Sequence, residues 1–587
     1  GTWNRALIKL DDRNPMLSNS YNFKREYATR SFNTVYASFD IWKGIKFAST
    51  FSYDFVMNKS RAWKDPRTSD GDDDNGRFSK DYNDITNMTW SNILTYQTKI
   101  KKKHNLDLLA GYEINSKESD GLGTTISNFA RWDKPEVNNG VVYQSMGGSN
   151  STTRIVSYIT RANYDYDNKY YLGASWRTDG SSRLARENRW GNFWSLSGAW
   201  RVSSESFMKP LQNWLSDLKL RVSYGVNGTL PSSYYGYMGL SSLTSNYNDN
   251  PGITQSQLEN KELTWETNYN FNSGIDLGFF DNRLNVTFEY YVRTTKNLLY
   301  SRPLSLATGF SSYLANIGKL QNKGYELEIR STNIETKDFR WSTSLNLGHN
   351  ANKILKLDGD LKQVTSGTSI HKVGLPYSTY YMIEFAGIDP ADGEPMFYKN
   401  TTDENGNLNK ETTKDPRSAE KVILQCADPT ITGGLGNSIS YKWFDLNFNV
   451  NFSFGAWNYD GSASKLEHGG DGTLNIPIYY RKRWQKEGDE TSIERFVVGR
   501  SISMTDYATT RRLYSGDYVR LKNLTFGFTL PETWTRKVGI DNIRLYASGN
   551  NLLTWAAYDY IDPESGSSPS WDTPPMRTYT FGLEVKF

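Results

Sequence analysis

The chain has 587 residues, a net charge of +4, a mean hydropathy of −0.66 and 14% aromatic residues, among them 39 Tyr, 27 Phe and 18 Trp. Its one cysteine, Cys426, excludes a disulfide framework and a Cys-based metal site, and the balanced charge excludes the basic stripe of a nucleic-acid binder. No apolar run approaches the roughly 18 residues of a membrane helix, so a chain this polar and this aromatic fits a thin apolar belt around a wet interior.

Long segments of strict apolar/polar alternation, the period of a β-strand, recur in chain order. The first lie near 31–39, 44–54, 86–99, 104–116, 153–166, 168–177 and 190–202. "DLKLRVSYGV" (217–226) sets Leu218, Leu220, Val222, Tyr224 and Val226 against Lys219, Arg221 and Ser223. A segment at 264–277 follows, and then "RLNVTFEYYVR" (283–293), with Leu284, Val286, Phe288, Tyr290 and Val292 on one face. After 319–331 and 340–350 come 431–442 and "WFDLNFNVNFSFG" (443–455), a wall of Phe444, Leu446, Phe448, Val450, Phe452 and Phe454 opposite Asp445, Asn447, Asn449, Asn451 and Ser453. Strands at 516–530 and 542–549 precede the last, "RTYTFGLEVKF". About 18 strands are read in this way, most of them of the 9–11 residues that a tilted strand needs to cross a bilayer, or longer.

One segment changes phase: Val519 and Leu521 share a parity, whereas Leu524, Phe526, Phe528 and Leu530 take the other. A β-bulge produces such a slip, and a boundary between two elements is the alternative.

Short connections with turn chemistry, such as "DYDNKY" (165–170), "FFDNRL" (279–284) and "YKWF" (441–444), alternate with long ones near 55–85, 117–152, 227–262, 351–429, 456–512 and 551–576. Short turns at one rim and long loops at the other are the pattern of an outer-membrane barrel. The expected fold is therefore all-β: a large antiparallel transmembrane β-barrel with long extracellular loops and short periplasmic turns, its apolar faces toward lipid and its Asn-rich faces toward a hydrated lumen. In the last strand Tyr579, Phe581, Leu583, Val585 and the final Phe587 share one face, as in the assembly signal read by outer-membrane insertion machinery.

Catalytic chemistry is not legible. His104, His349, His371 and His468 are scattered without metal-ligand spacing, and Ser181 in "RTDGSSR" (177–183) has no nearby His to activate it. His468 with Glu467 and Asp471 reads as a solvated loop cluster. In "DGDDDNG" (70–76), Asp70, Asp72 and Asp74 stand at alternate positions, as oxygen ligands of calcium would. Asn75 occupies the position of the EF-hand glycine and Asp81 that of the bidentate Glu, so a hydrated acidic loop is the main reading and a calcium site the alternative. No other cofactor is expected.

Stacking aromatics beside carboxylates suit sugar rings, whose CH faces are apolar and whose hydroxyls need directional partners. The long loops offer Tyr380 with Tyr381; Trp457, Tyr459 and Asp460; Tyr480 near Tyr479 and Trp484; and Trp555, Tyr558, Asp559 and Tyr560. These are the candidate substrate-binding residues, the alternative being that they pack the loops together. Trp190, Trp194 and Trp200, near strand ends, read as interfacial girdle residues.

"YYLGASWRTDGSSRLARENRWGNFWSLSGAWRVSSESF" (170–207), "LSDLKLRVSYGVNG" (215–228), "ANIGKLQNKGYELEI" (315–329), "FAGIDPADGEPMFY" (385–398), "DPTITGGLGNSISYKWFDLNF" (428–448), "GDYVRLKNLTFGFTLP" (516–531) and "IRLYASGNNLLTW" (543–555) occur in an order that resembles SusC/RagA-type TonB-dependent transporters. The resemblance runs through essentially the whole chain. It implies a barrel of about 22 strands in the outer membrane, a lumen plug, coupling to TonB–ExbB–ExbD through a TonB box, a SusD-like lipoprotein lid and a dimer of transporter–lid pairs. Nothing before residue 30 looks like a plug or a TonB box, so residues 1–587 read as the C-terminal part of such a barrel, with plug and first strands elsewhere. The expected function is TonB-dependent oligosaccharide import and no enzymatic activity. The alternatives are an oligopeptide importer of the same family and a passive porin or receptor.

Overall fold

The computed structural model describes residues 15–248, 250–357, 359, 361–403, 406–470, 476–498, 507–565 and 575–587. The chain divides into two compact units: residues 1–198, 224–269 and 295–317 in one, residues 199–223, 270–294 and 318–587 in the other. Seventeen strands belong to one antiparallel sheet, against the approximately 18 read from alternation.

In the first unit β1 (Phe23–Trp42), β2 (Ile45–Lys64), β3 (Arg77–Ile100), β4 (His104–Phe129), β5 (Gly140–Tyr166) and β6 (Tyr170–Ser181) pair each with the next. The short turns have the residues their geometry needs: Asp167 and Asn168 both take positive φ (57° and 52°), as a two-residue hairpin turn of the favoured hand requires. Apolar positions line up across the strands, as in the row Val35, Phe51, Trp90, Ile114 and Val156.

Strands β2 to β5 run far beyond the alternating segments. β5 has 27 residues, and the regions read as loops near 55–85 and 117–152 are largely strand. The physical reason is that alternation marks only the part of a strand that separates lipid from water. Beyond it neither face meets lipid and the period disappears, while backbone pairing continues. A small core of Trp63, Phe78, Ile126 and Phe129 stabilises these outer ends, with Trp63 edge-on to Phe129 at 4.9 Å between ring centroids. A second core in this unit gathers Leu184, Phe193, Leu263 and Trp265.

β7 (Trp190–Arg201), β8 (Leu215–Thr229), β9 (Glu266–Phe279) and β10 (Leu284–Lys296) have residues in each unit. The second unit continues with β11 (Lys319–Glu335), β12 (Phe339–Lys356), β13 (Ile431–Tyr441), β14 (Phe444–Phe454), β15 (Tyr518–Thr529), β16 (Asn542–Ala556) and β17 (Thr578–Lys586), a ladder of successive antiparallel neighbours. One face carries rows such as Trp341, Ile439, Leu446, Phe526, Ala547 and Phe581. The other carries Ser344, Gly436, Asn449, Asn523, Asn550 and Thr578.

The phase slip in β15 is a bulge. Asn449 faces Asn523 while Val450 faces Leu521, so Lys522 is an extra residue relative to β14. β16 answers with an extra residue of its own, since Leu521 faces Leu553 and Asn523 faces Asn550, and Asn551 there adopts a left-handed φ of 53°. The two bulges return Val519, Leu521, Leu553 and Trp555 to the apolar face beside Val450 and Phe452.

Candidate functional site: the polar wall and the loop assembly

The long connections of the second unit fold into small sheets. Thr379–Ile383 pairs with Lys421–Cys426, and Trp457–Tyr459 with Leu513–Ser515. Tyr380, Met382, Tyr459 and Leu513 form the core between them, and the Tyr459 amide donates to the Tyr380 hydroxyl at 3.2 Å.

Beside this core lies a buried ionic network. Arg511 pairs with Glu494, which is fully buried, and stands 3.5 Å from Glu467; Arg512, 1% exposed, lies 3.3 Å from Glu467. Two guanidinium groups thus balance two carboxylates, which is what lets charge stay buried. Tyrosine hydroxyls complete the shell: Tyr479 donates to Glu467 at 2.5 Å, Tyr480 to Glu494 at 2.8 Å and Tyr558 to Asp460 at 3.0 Å. Burial pushes the Glu494 carboxyl up, but Arg511 and Tyr480 outweigh it and hold it below the usual range. Burial, with the adjoining carboxylates, raises the hydroxyls of Tyr479, Tyr480 and Tyr558, so all three stay protonated donors. Asp460 also caps the helix Gly461–Leu466 through the amides of Ser462 and Ala463.

Of the residues nominated as substrate contacts, Tyr380, Tyr459, Asp460 and Tyr480 are therefore buried in the loop core, where they hold other loop residues. Tyr381, Trp457 and Tyr558 are half-buried, and Trp555, Asp559 and Tyr560 are exposed. Trp555 stands in the apolar row with Phe452 and Val519. Tyr558 stacks on Tyr514 at 3.7 Å and lies 5.3 Å from Tyr560, which approaches Tyr479 at 5.4 Å. An aromatic surface of Tyr479, Tyr558 and Tyr560 with Asp559 beside it is what the structure brings together.

The acidic loop places its residues differently from a cation cage. Asp74 pairs with Arg77 and accepts from Gln144 at 3.3 Å, while Asp70 accepts from Asn22 at 3.2 Å. Among the described residues no group of three His, Cys, Asp or Glu is arranged to hold a metal. His468 is buried and accepts from the Gly470 amide through Nδ1; Asp471 lies outside the described residues.

Alternation pointed to the polar face but not to its cavities. One open cavity of about 690 Å³ is lined by Thr287, Glu289, Glu326, Glu328, Asn346 and Asn451 among others. A second, of about 320 Å³, is lined by Arg283, Asn285, Arg330, Ser344, Asn447 and Asn449 among others. Glu289 pairs with Arg221, and Glu328 with Arg330 at 2.5 Å. The available signal was the charge at alternate positions on the polar faces of β10 and β11.

The sequence profile of "TonB dependent receptor-like, beta-barrel" matches residues 2–552. The chain belongs to that family. The TonB-dependent receptor P3 of Formosa agariphila is 32% identical over 626 aligned positions that take in 100% of this chain and 61% of the relative. SusC of Bacteroides thetaiotaomicron is 30% identical over 74% of this chain and 44% of its own length. The structure of the RagAB peptide transporter superposes with a TM-score of 0.88 at 26% identity, covering 98% of this chain and 63% of that one. The chain thus spans about three-fifths of the length of P3. This TonB-dependent receptor chain is of SusC/RagA type and is an outer-membrane β-barrel protein, and the family is one of transporters, not of enzymes. Its apolar rows accordingly face lipid and its Ser/Asn rows and cavities face the barrel interior.

Proposed function

We propose that the whole protein imports oligosaccharides across the outer membrane, driven through TonB–ExbB–ExbD and served by a SusD-like lipoprotein lid on the long loops. The observation that carries this reading is the interior face of the second unit. Its cavities present amides, hydroxyls and carboxylates in place of a greasy slot, a lining that exchanges hydrogen bonds with a polyhydroxylated solute as it passes. The aromatic surface of half-buried Tyr558 and exposed Tyr560, with Asp559 beside it, supplies apolar faces on which sugar rings stack. The 30% identity to the TonB-dependent receptor SusC supports the energy-coupled part of this reading.

Oligopeptide import is the second reading, and the TM-score of 0.88 to the RagAB peptide transporter favours it. A passive pore without energy coupling is the third. Residues Tyr579, Phe581, Leu583, Val585 and Phe587 are proposed as the strand read during membrane assembly.

Uptake by cells with and without the gene decides among these. Labelled oligosaccharides entering only in the presence of the gene and of a membrane potential support the first reading. Peptide uptake under the same conditions replaces it with the second, and potential-independent entry replaces both with a pore. Intact mass and N-terminal sequencing of the protein from outer membranes, with everything that co-purifies, test the plug and the lid.

A further inference from the structure

We propose that the outer half of β5 is a docking edge for an extended, uncharged strand of a partner protein. β5 pairs with β4 along both halves, from Gly140 opposite Phe129 to Tyr166 opposite His104, but pairs with β6 only from Ile155 onward. Ser182 and the Tyr235 hydroxyl take up the backbone near Thr152 and Arg154. Beyond them every residue from Val141 to Asn150 is exposed, with Tyr143 and Met146 each 74% accessible.

An open edge carries a row of unpaired N–H and C=O groups, and proteins ordinarily blunt it with charge, proline or a bulge, or cover it. Here residues 137–153 contain no Asp, Glu, Lys, Arg, His or Pro. The one irregularity, an extra residue at Gln144, is tied down through its side chain to Asp74 and Ser127. Among the described residues no strand pairs with the other edge of residues 145–151, seven residues in regular register with β4.

The sequence of that stretch says what would pair with it. Gly147 and Gly148 weaken a strand interior and mark where another backbone approaches closely. A Cβ placed on Gly147 would meet nothing within 4 Å, and one on Gly148 only a backbone oxygen at 3.5 Å. A partner strand with aromatic or β-branched side chains opposite these glycines fills that space and packs on Met146, the arrangement by which large cross-strand neighbours rescue glycine in sheets. A second copy of this chain fits poorly. Two copies in one membrane share one orientation, so a two-fold axis between them lies along the membrane normal and sets equivalent edges parallel, the less stable pairing.

The test is amide hydrogen exchange on the intact protein in detergent, with acetyl-TVYVTVT-amide as the probe strand and the same peptide N-methylated at alternate amides as its control. The expected result is about tenfold slower exchange in residues 145–151 with the probe and none with the N-methylated peptide. The protection is lost in the variant Gly147→Lys with Gly148→Lys, which the open space lets fold. Slow exchange there without any probe, equal protection by both peptides, or protection that rises with protein concentration in the probe's absence each overturns the proposal. The last outcome assigns the edge to a second copy.

Discussion

Asp445 on β14 and Arg544 on β16 pair across the strand that separates them: Nε meets Oδ1 at 3.2 Å and Nη2 meets Oδ2 at 2.7 Å. Gly527 of β15 lies between the two strands, opposite Asp445 on one side. A Cβ at that position would collide with the Asp445 carboxylate and Arg544 Nη2. The glycine is therefore the condition for the ion pair, and Gly527→Val should break it. The double-mutant cycle of Asp445→Ala and Arg544→Ala should return a coupling of about 0.5–3 kcal/mol, and Gly527→Val should lower the unfolding temperature of the folded barrel seen on a heat-modifiability gel.

Phe448 lies between Asn437 and Leu524 on the lipid-facing side, and its neighbour Asn449 between Gly436 and Asn523 on the interior side. Phe448→Arg should cost about 2–4 kcal/mol near the membrane midplane, while Asn449→Asp should leave assembly nearly unchanged. Denaturant titration of barrels refolded into lipid vesicles gives both values. The reverse ranking would show that the two faces have been exchanged.

The bulge at Lys522 keeps two halves of one strand in phase with their neighbours. Because Lys522 is the extra residue, deleting it should close the bulge and leave Leu521 and Val519 opposite Val450 and Phe452 on the lipid side, with Arg520 on the interior side. Arg520 is 1% exposed and bonded to Asp562 at 2.6 Å and Glu564 at 2.8 Å, and it keeps that side. The deletion and Lys522→Ala should both reach the protease-resistant barrel form, and failure of the deletion alone would show that the bulge matters beyond the phase of the strand.

Arg520, with Lys522 on Glu564 at 2.7 Å, ties the loop around Asp562 and Glu564 to the wall. Arg520→Ala should leave the barrel folded and make the loop near Tyr558 and Tyr560 more open to proteolysis. Loss of solute uptake in that variant with normal assembly would tie the aromatic surface to function.

Glu494 gives the loop assembly a pH dependence. Its carboxyl sits below the ordinary value because Arg511 and Tyr480 favour the charged form. Its stabilisation is therefore complete above the ordinary Glu value of about 4.3 and disappears as pH falls through the lower, folded value. Hydrogen exchange in residues 456–470 should stay slow from neutral pH to about 4 and accelerate below it. Glu494→Gln should cost about 3–5 kcal/mol at neutral pH by leaving two buried guanidinium groups, Arg511 and Arg512, to share the one carboxylate of Glu467.

Period-two alternation was enough to read the strands of the membrane belt, their two faces and even the slip in β15, because lipid on one side and water on the other imprint a chemical difference at every step. Short turns were legible for a similar local reason: Asp167 and Asn168 tolerate the positive φ that a tight hairpin demands. The outer halves of β2 to β5 were not, since neither face there meets lipid, and backbone pairing with the small core of Trp63, Phe78, Ile126 and Phe129 holds them. Nor could the loop aromatics be sorted from sequence. Tyr480 and Tyr560 are alike as residues, yet one is sealed against Glu494 and the other is 70% exposed, a difference set by which distant segments return to cover them. The wall cavities arise in the same way, from carboxylates and amides on separate strands brought side by side by register. Sequence by itself determined which residues prefer lipid or water; only the tertiary structure decided which polar and aromatic groups are used up on one another, because burial and ion pairing depend on neighbours far along the chain.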